Sequence, residues 1–300
     1  FGEIRKERGA LPGNLMTDMI LADDNPVKAL VVISGNPMLS MGNGARLREA
    51  CAKLELVIVI DIYPSATAEY ADYVLPATDM FEREDINMCG LGMQTQPFVQ
   101  YTDLIVAPKA ERKPEWWIMA KIEQAQGFDS ILDEELAPSQ MGRIDHMLRQ
   151  SNTSIREIRD MPSQTVVLPA PVAGRFFTDW IQTESERVNC CPLMFDEALV
   201  RCEDIFKELQ AEAPDALKMI SRRTNYMINS WMHNLPSLKR PSQLTNPLYM
   251  HPDDARARNL GDGSSVRIWN AFGNISSCVS LDETLKPGTV AMTHGWGNDK

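Results

Sequence analysis

Apolar residues in this chain gather into short runs that break at polar loops. The two sharpest are Ala29–Pro37, ALVVISGNP, and Glu55–Pro76, ELVIVIDIYPSATAEYADYVLP. Continuous Val/Ile/Leu runs predict strands buried on both faces, and in open α/β sheets ligands sit in the crevice outside the carboxyl ends of such strands. Asn36 and Asp61 stand at those ends. From Val27 to about Gly127 strand-like and helix-like segments alternate, which predicts a parallel sheet with right-handed crossovers. The helix Ala45–Leu54 repeats Leu47, Ala50, Cys51 and Leu54 at helical spacing, and a shorter helix, Pro64–Tyr70, opens on proline before a strand at Tyr73–Leu75. Ala77–Lys113 reads as one long functional loop, and the helix Glu115–Gln124 closes the domain.

Residues 129–216 read as a connector with short helices at Ser139–Gln150, Ser154–Arg159 and Phe195–Leu209. From Leu217 to Gly297 short alternating runs return and predict a β-barrel. A hairpin there pairs Val266–Trp269 with Ile275–Leu281, with turns at Asp262–Gly263 and Phe272–Gly273–Asn274. The expected division is an α/β cofactor-binding domain over 1–127, a connector over 128–214 and a barrel over 215–300.

Composition narrows the partners. The formal net charge of −11 and scattered basic pairs argue against nucleic acid. No apolar run reaches the roughly 18 residues a membrane helix needs, so membrane insertion of this segment is not expected. Six cysteines form no CxxC pair; Cys51 and Cys278 fall in apolar stretches and are expected as buried free thiols in a reducing compartment. The start at Phe1 and the stop soon after an apolar strand read as the cut ends of a fragment.

Candidate chemistry concentrates in the loops. Gly42–Asn43–Gly44 lies too far beyond its strand and lacks the third glycine of a dinucleotide fingerprint. Gly35 and Asn36 are expected at positive φ, presenting a backbone N–H and an amide to a ligand, or else forming a plain turn. Asp61 suits a guanine edge or a ribose diol, with a helix N-cap as the alternative. Asp72 reads as a cap or turn residue, and Glu82, Arg83, Glu84 and Asp85 as a solvated charge cluster from which Arg83 could meet a phosphate. The four histidines join no ligand motif, no G-x-S-x-G elbow exists, and no metal site is written in these residues. Ser221–Asn234, SRRTNYMINSWMHN, is a second polar cluster suited to gripping a ligand, or else a solvated hairpin.

In chain order, VVISGNP, VIVIDIYPSATAEYADYVLPATDMFERED, MISRRTNYMINSWMHN, NPLYMHPDDARARNLGDGSSVRI and VAMTHGWG resemble the carboxy-terminal half of the molybdopterin-guanine-dinucleotide oxidoreductases, the dimethyl sulfoxide reductase and formate dehydrogenase superfamily. IQTESERVN resembles that family's T-x-S-G-K strand through Thr183 and Ser185, with Glu186–Arg187 in place of Gly-Lys. The resemblance implies that the first domain grips a guanosine end and that the last is a double-psi β-barrel binding the dinucleotide. It further implies cofactor-binding roles for Asn36, Asp61, Ser65, Arg83, Glu115, Arg223, Asn229, Ser230, His233, His294 and Trp296. The implied cofactor is molybdenum or tungsten bis(molybdopterin guanine dinucleotide), with a 4Fe–4S cluster and the metal-ligating residue in an earlier segment. The implied activity is two-electron redox chemistry on a small-molecule substrate, with an electron-transfer subunit as partner and a cytoplasmic location unless an export signal precedes the segment. The alternative is a pterin-free relative serving as the iron–sulfur subunit of a respiratory complex. A thiamine-diphosphate enzyme's central domain would account for Ala29–Pro76 but not for the barrel.

Overall fold

The computed structural model describes residues 10–87, 93–128, 140–148, 153–170, 172–181, 183–233 and 235–297. Its strands are β1 (Ala29–Ile33), β2 (Leu56–Asp61), β3 (Tyr73–Pro76), β4 (Asp85–Ile86), β5 (Phe98–Thr102), β6 (Thr165–Val167), β7 (Lys218–Arg222), β8 (Leu248–Met250), β9 (Ser265–Asn270), β10 (Gly273–Leu281) and β11 (Thr289–Thr293). Two compact units divide the chain, residues 1–75 with 211–300 and residues 76–210.

In the first unit β1, β2 and β3 lie side by side, with β1 and β2 parallel and paired from Ala29–Leu56 to Ile33–Ile60. Val32, Val57 and Val59 form the core, and Leu30, Leu54, Ala68 and Ala71 pack on it. Among the described residues β2 is buried on both faces, whereas β1 is an edge strand whose Val31 and Ile33 are exposed. The chain returns between them through the helix Gly44–Lys53. Asn43 caps it from a left-handed φ of 56°, its side chain accepting the Arg46 N–H at 3.3 Å, and Leu47, Ala50 and Cys51 turn inward. Asp72 acts as a clamp: its Oδ2 accepts the Val57 N–H at 2.7 Å and its own N–H donates to the Val57 carbonyl at 2.8 Å.

The same unit holds a mixed sheet ordered β7-β11-β8-β10-β9. β11 runs parallel to β7 and antiparallel to β8, and β10 runs parallel to β8 and antiparallel to β9. Leu248, Met250, Ala255, Val279 and Val290 fill its core. The expected barrel is not closed among the described residues, where β7 and β9 are the two edges. The β9–β10 turn also sits earlier than expected, at 270–273, because the Asn270 side chain accepts the Phe272 and Gly273 N–H groups at 2.8 and 3.1 Å. Cys278 is exposed, contrary to expectation: side chains alternate along β10, and its neighbour Val279 takes the inward position. Cys51 is buried as expected.

The second unit is built on an antiparallel β4-β5-β6 sheet. The helices Gln140–Leu148 and Ile155–Asp160 pack on it, burying Ile144, Leu148, Ile155 and Ile158 against Ile86, Val99 and Tyr101. Ala77–Lys113 is therefore not one long loop; it carries β4 and β5. Parts of the predicted Ser139–Gln150 helix lie outside the described residues. The helix Asp196–Gln210 contains no buried residue.

Candidate functional site

The first unit gathers its polar side chains where β1 and β2 end. Ser34 takes the left-handed turn at φ 51° and donates its N–H to the Ile60 carbonyl at 2.9 Å. Asn36 stays at φ −132°, so the expectation of positive φ at Gly35 and Asn36 moves one residue earlier, to Ser34. Held there, Asn36 accepts on Oδ1 from the Thr67 N–H at 3.2 Å and the Thr67 hydroxyl at 2.8 Å, while its Nδ2 donates to Ser230 Oγ at 3.3 Å. Thr67 is fully buried and its Oγ1 also accepts the Met38 N–H at 3.3 Å.

Asp61 is 5% exposed, and its Oδ1 accepts the Ile62 and Tyr63 N–H groups at 2.7 and 3.3 Å. It braces the loop directly after β2 rather than capping a helix, because the following 3₁₀ turn begins only at Ala66. Ser65, 4% exposed, precedes that turn with its Oγ unpartnered in the protein, in contrast to its neighbours. A buried hydroxyl without a partner costs free energy that a bound polar ligand would recover.

Opposite Asn36, the segment after β7 folds into a tight reversal in which Ile228 bridges Trp231. Asn229 and Met232 adopt φ 51° and 65° there. Three contacts hold the reversal. Arg223 donates to Asn229 Oδ1 at 2.7 Å; Lys239 donates to the Met232 and His233 carbonyls; and Gly295, at φ 79°, packs directly on the Asn229–Ser230 peptide. Burial pushes the Lys239 ammonium below its ordinary range. His294 donates its N–H to the Arg222 carbonyl at 3.0 Å, and the Arg222 guanidinium pairs with Asp282 at 2.6 Å while stacking 4.1 Å from the Tyr249 ring centre. Two aromatic pairs flank these residues, His233 with Trp296 at 4.8 Å and Tyr63 with Trp231 at 6.4 Å between ring centres, and of the four only Trp231 lines the adjoining cavity.

These elements enclose a cavity of about 420 Å³ between the β1 end and the reversal. Of the residues expected from sequence, Asn36, Asn229, Ser230 and His294 line it, joined by Ser34, Trp231 and Gly295. Arg223 reaches it through Asn229, and the structure holds Asp61 and Ser65 at the neighbouring β2 end. Sequence reasoning passed over Thr67, Gly295 and Thr293, a buried residue whose hydroxyl has no partner in the protein. The S-x-T spacing at 65–67 and the glycine of HGWG were the available signals.

Arg83 and Glu115 belong to the second unit and are paired with one another, both largely buried, with Asp85 at 3.3 Å from the same guanidinium. The charge cluster is not a solvated face throughout: Glu82 is 6% exposed and receives Arg112 at 2.6 Å. Burial works against its charge, but the Asp79 N–H and the Arg112 guanidinium outweigh it and hold the carboxyl below the usual range.

Chemically, the cavity offers amides, hydroxyls, an imidazole and aromatic faces, with a guanidinium at one remove. That is a set for binding and orienting a polar, ring-containing anion. No group of metal-ligating side chains exists among the described residues. The polar side chains lining the cavity, with the unpartnered Ser65 hydroxyl at the neighbouring β2 end, suit a nucleotide-bearing ligand.

Comparison with known proteins places both segments of the chain in known families. Residues 5–125 match the family described as Molybdopterin oxidoreductase, and residues 217–300 the Molydopterin dinucleotide binding domain. The chain is 24% identical to the probable oxidoreductase YyaE of Bacillus subtilis over 93% of its own length and 41% of that protein's. It is 24% identical to trimethylamine-N-oxide reductase of Haemophilus influenzae over 90% of its length and 36% of that protein's. The solved acetylene hydratase from Pelobacter acetylenicus superposes with a TM-score of 0.72 at 20% identity, covering 94% of this chain and 39% of the other. The chain thus spans about two-fifths of these relatives. Asn36 comes from one matched segment and Ser230 from the other, and with both at a single cavity the chain belongs to the molybdopterin oxidoreductases.

Proposed function

We propose that this chain is the cofactor-gripping, carboxy-terminal part of a bis(molybdopterin guanine dinucleotide) oxidoreductase carrying molybdenum or tungsten. One observation carries the reading: the hydrogen bond between Asn36 and Ser230 closes a polar cavity from the two segments that match the family's two domains. Asn36, Asn229, Ser230 and His294 bind a phosphate or ribose of the dinucleotide there. Asp61 and Ser65 take guanosine at the β2 end, and His233 and Trp296 face the pterin side. Arg223 supplies positive charge through Asn229. In the second unit Arg83 and Glu115 meet a phosphate and a guanine edge. When bound, the cofactor supplies two-electron redox chemistry at its metal; this chain's residues bind, orient and shield it.

We infer the finer parts of the reading from the likeness to that family. Residues 1–127 act as the α/β domain, 128–214 as connector, and the sheet from 215 onward as a double-psi barrel. A preceding segment provides the metal ligand, a 4Fe–4S cluster and the substrate pocket, and an electron-transfer subunit docks beside that cluster, as in formate dehydrogenase-like enzymes. No helix among the described residues is long and apolar enough to cross a membrane. The location proposed is the cytoplasm, or the periplasm where an export signal precedes this segment. The test is native purification of the enzyme that carries this chain, with metal determined by mass spectrometry and pterin by fluorescence after oxidation. Molybdenum or tungsten with about two pterins per chain supports the proposal. A folded protein lacking both, from a host that makes the cofactor, refutes it.

A further inference from the structure

We propose that Thr67, which no ligand can touch, is the positioning residue that fixes the donor face of Asn36 toward the cavity. The inference rests on the cavity being the dinucleotide site. An asparagine amide has two orientations that exchange its acceptor for its donor, and at the mouth of an anion site only the donor orientation is useful. Thr67 selects it with two bonds to one atom: its N–H and its hydroxyl both point at Asn36 Oδ1, at 3.2 and 2.8 Å. A flipped amide would set its NH₂ against the Thr67 N–H and lose that bond, and the hydroxyl contact could survive only by reversing, with the Thr67 oxygen accepting from Asn36 as well as from Met38. The hydroxyl is in turn oriented, because Met38 donates its N–H to the same oxygen at 3.3 Å, leaving the hydroxyl hydrogen for Asn36. Nδ2 carries two N–H bonds; Ser230 takes one, and the other is directed to whatever fills the cavity. Thr67 is 0% exposed and sits in the 3₁₀ turn after β2, so any effect it has on a ligand passes through Asn36.

The experiment uses the holoenzyme and follows release of its pterin over time by fluorescence, with the thermal midpoint recorded alongside. Thr67→Val keeps the shape and the N–H but removes the hydroxyl; Thr67→Ser restores the hydroxyl. The expected result is release about tenfold faster in Thr67→Val, equivalent to about 1.4 kcal/mol, and near the wild-type rate in Thr67→Ser. On an Asn36→Ala background Thr67→Val adds nothing further, since the residue it positions is gone. Wild-type release from Thr67→Val, or an equal acceleration with and without Asn36, overturns the inference while leaving the proposed function standing. A wild-type enzyme that holds no pterin overturns both.

Discussion

Gly295 gives the sharpest test of how the site is built. A Cβ placed there lies 2.8 Å from Ser230 N and closer still to the Asn229 carbonyl, whereas ordinary contact begins at 3.4 Å. The Ser230 nitrogen alone would have to retreat by the difference, 3.4 − 2.8, or about 0.6 Å, and the nearer Asn229 carbonyl by considerably more. Two costs add in Gly295→Ala. The left-handed φ of 79° is strained for any residue with a Cβ, at about 1–2 kcal/mol, and overpacking against backbone adds about 1–3 kcal/mol. Gly288 separates them: its φ is 84°, yet nothing lies within 4 Å of the point a Cβ would occupy. Gly288→Ala should therefore lose only the conformational part. Urea unfolding monitored by tryptophan fluorescence is the assay, paired with pterin content of the purified enzyme. Gly295→Ala should fall about 1–3 kcal/mol below Gly288→Ala and lose cofactor as the Asn229–Ser230 peptide moves. Equal midpoints for the two variants, with full cofactor in both, would refute the argument that this glycine is a packing requirement of the site.

Three further outcomes follow from single interactions. Asp282 is held below the usual carboxylate range, first by the Thr284 hydroxyl and then by Arg222, so its contribution is present above pH of about 4 and lost as the pH falls through its lowered folded value. Asp282→Asn should destabilise by about 1–2 kcal/mol at neutral pH, and its thermal midpoint should converge on the wild type in acid; curves that stay parallel would contradict this. Lys239→Met removes the ammonium donor from the Met232 and His233 carbonyls, leaving Met232 only the long Leu235 N–H bond at 3.4 Å, and should cost about 1–3 kcal/mol in urea unfolding, with no loss counting against the clamp. Asp72→Ala leaves the buried Val57 N–H without its side-chain acceptor and should cost a similar ~1–3 kcal/mol, most of it restored by Asp72→Asn, whose amide oxygen can still accept.

What could be read in advance was what depends on local pattern. The Val/Ile run of β2, the inward spacing of Leu47, Ala50 and Cys51, and the polar residues after each strand all emerge from periodicity alone. β4 was hidden inside a supposed loop because a strand of two residues has no period to detect, whereas β5 does alternate, Val99 and Tyr101 inward, over a run of only five residues. Cys278 was misplaced by one step of the alternation, which reverses the face of every side chain in a strand. The central contact of the site joins Asn36 to a residue 194 positions away; no local rule carries that distance, and only the likeness to a family put the two segments together. Thr67 escaped notice for the opposite reason, since a threonine in a short turn is common and becomes informative only when its two bonds to one asparagine are seen.

The pair Arg83–Glu115 shows how a binding role and a structural one can share the same atoms. Their side chains are 24% and 20% exposed, and two opposite charges this far from water gain more from each other than either does alone, because an unpaired buried charge is the costlier state. A ligand that takes only Glu115 would leave the guanidinium to Asp85 alone, and one that takes only Arg83 would remove the carboxylate's ion-pair partner. A guanine nucleotide avoids both penalties, since its phosphate can receive the arginine while the N1–H and N2–H edge of its base meets the carboxylate. Asp85, 3.3 Å from the same guanidinium, keeps that charge compensated during the exchange. The binding role proposed for the pair therefore calls for a ligand that carries both an anion and a paired-donor edge.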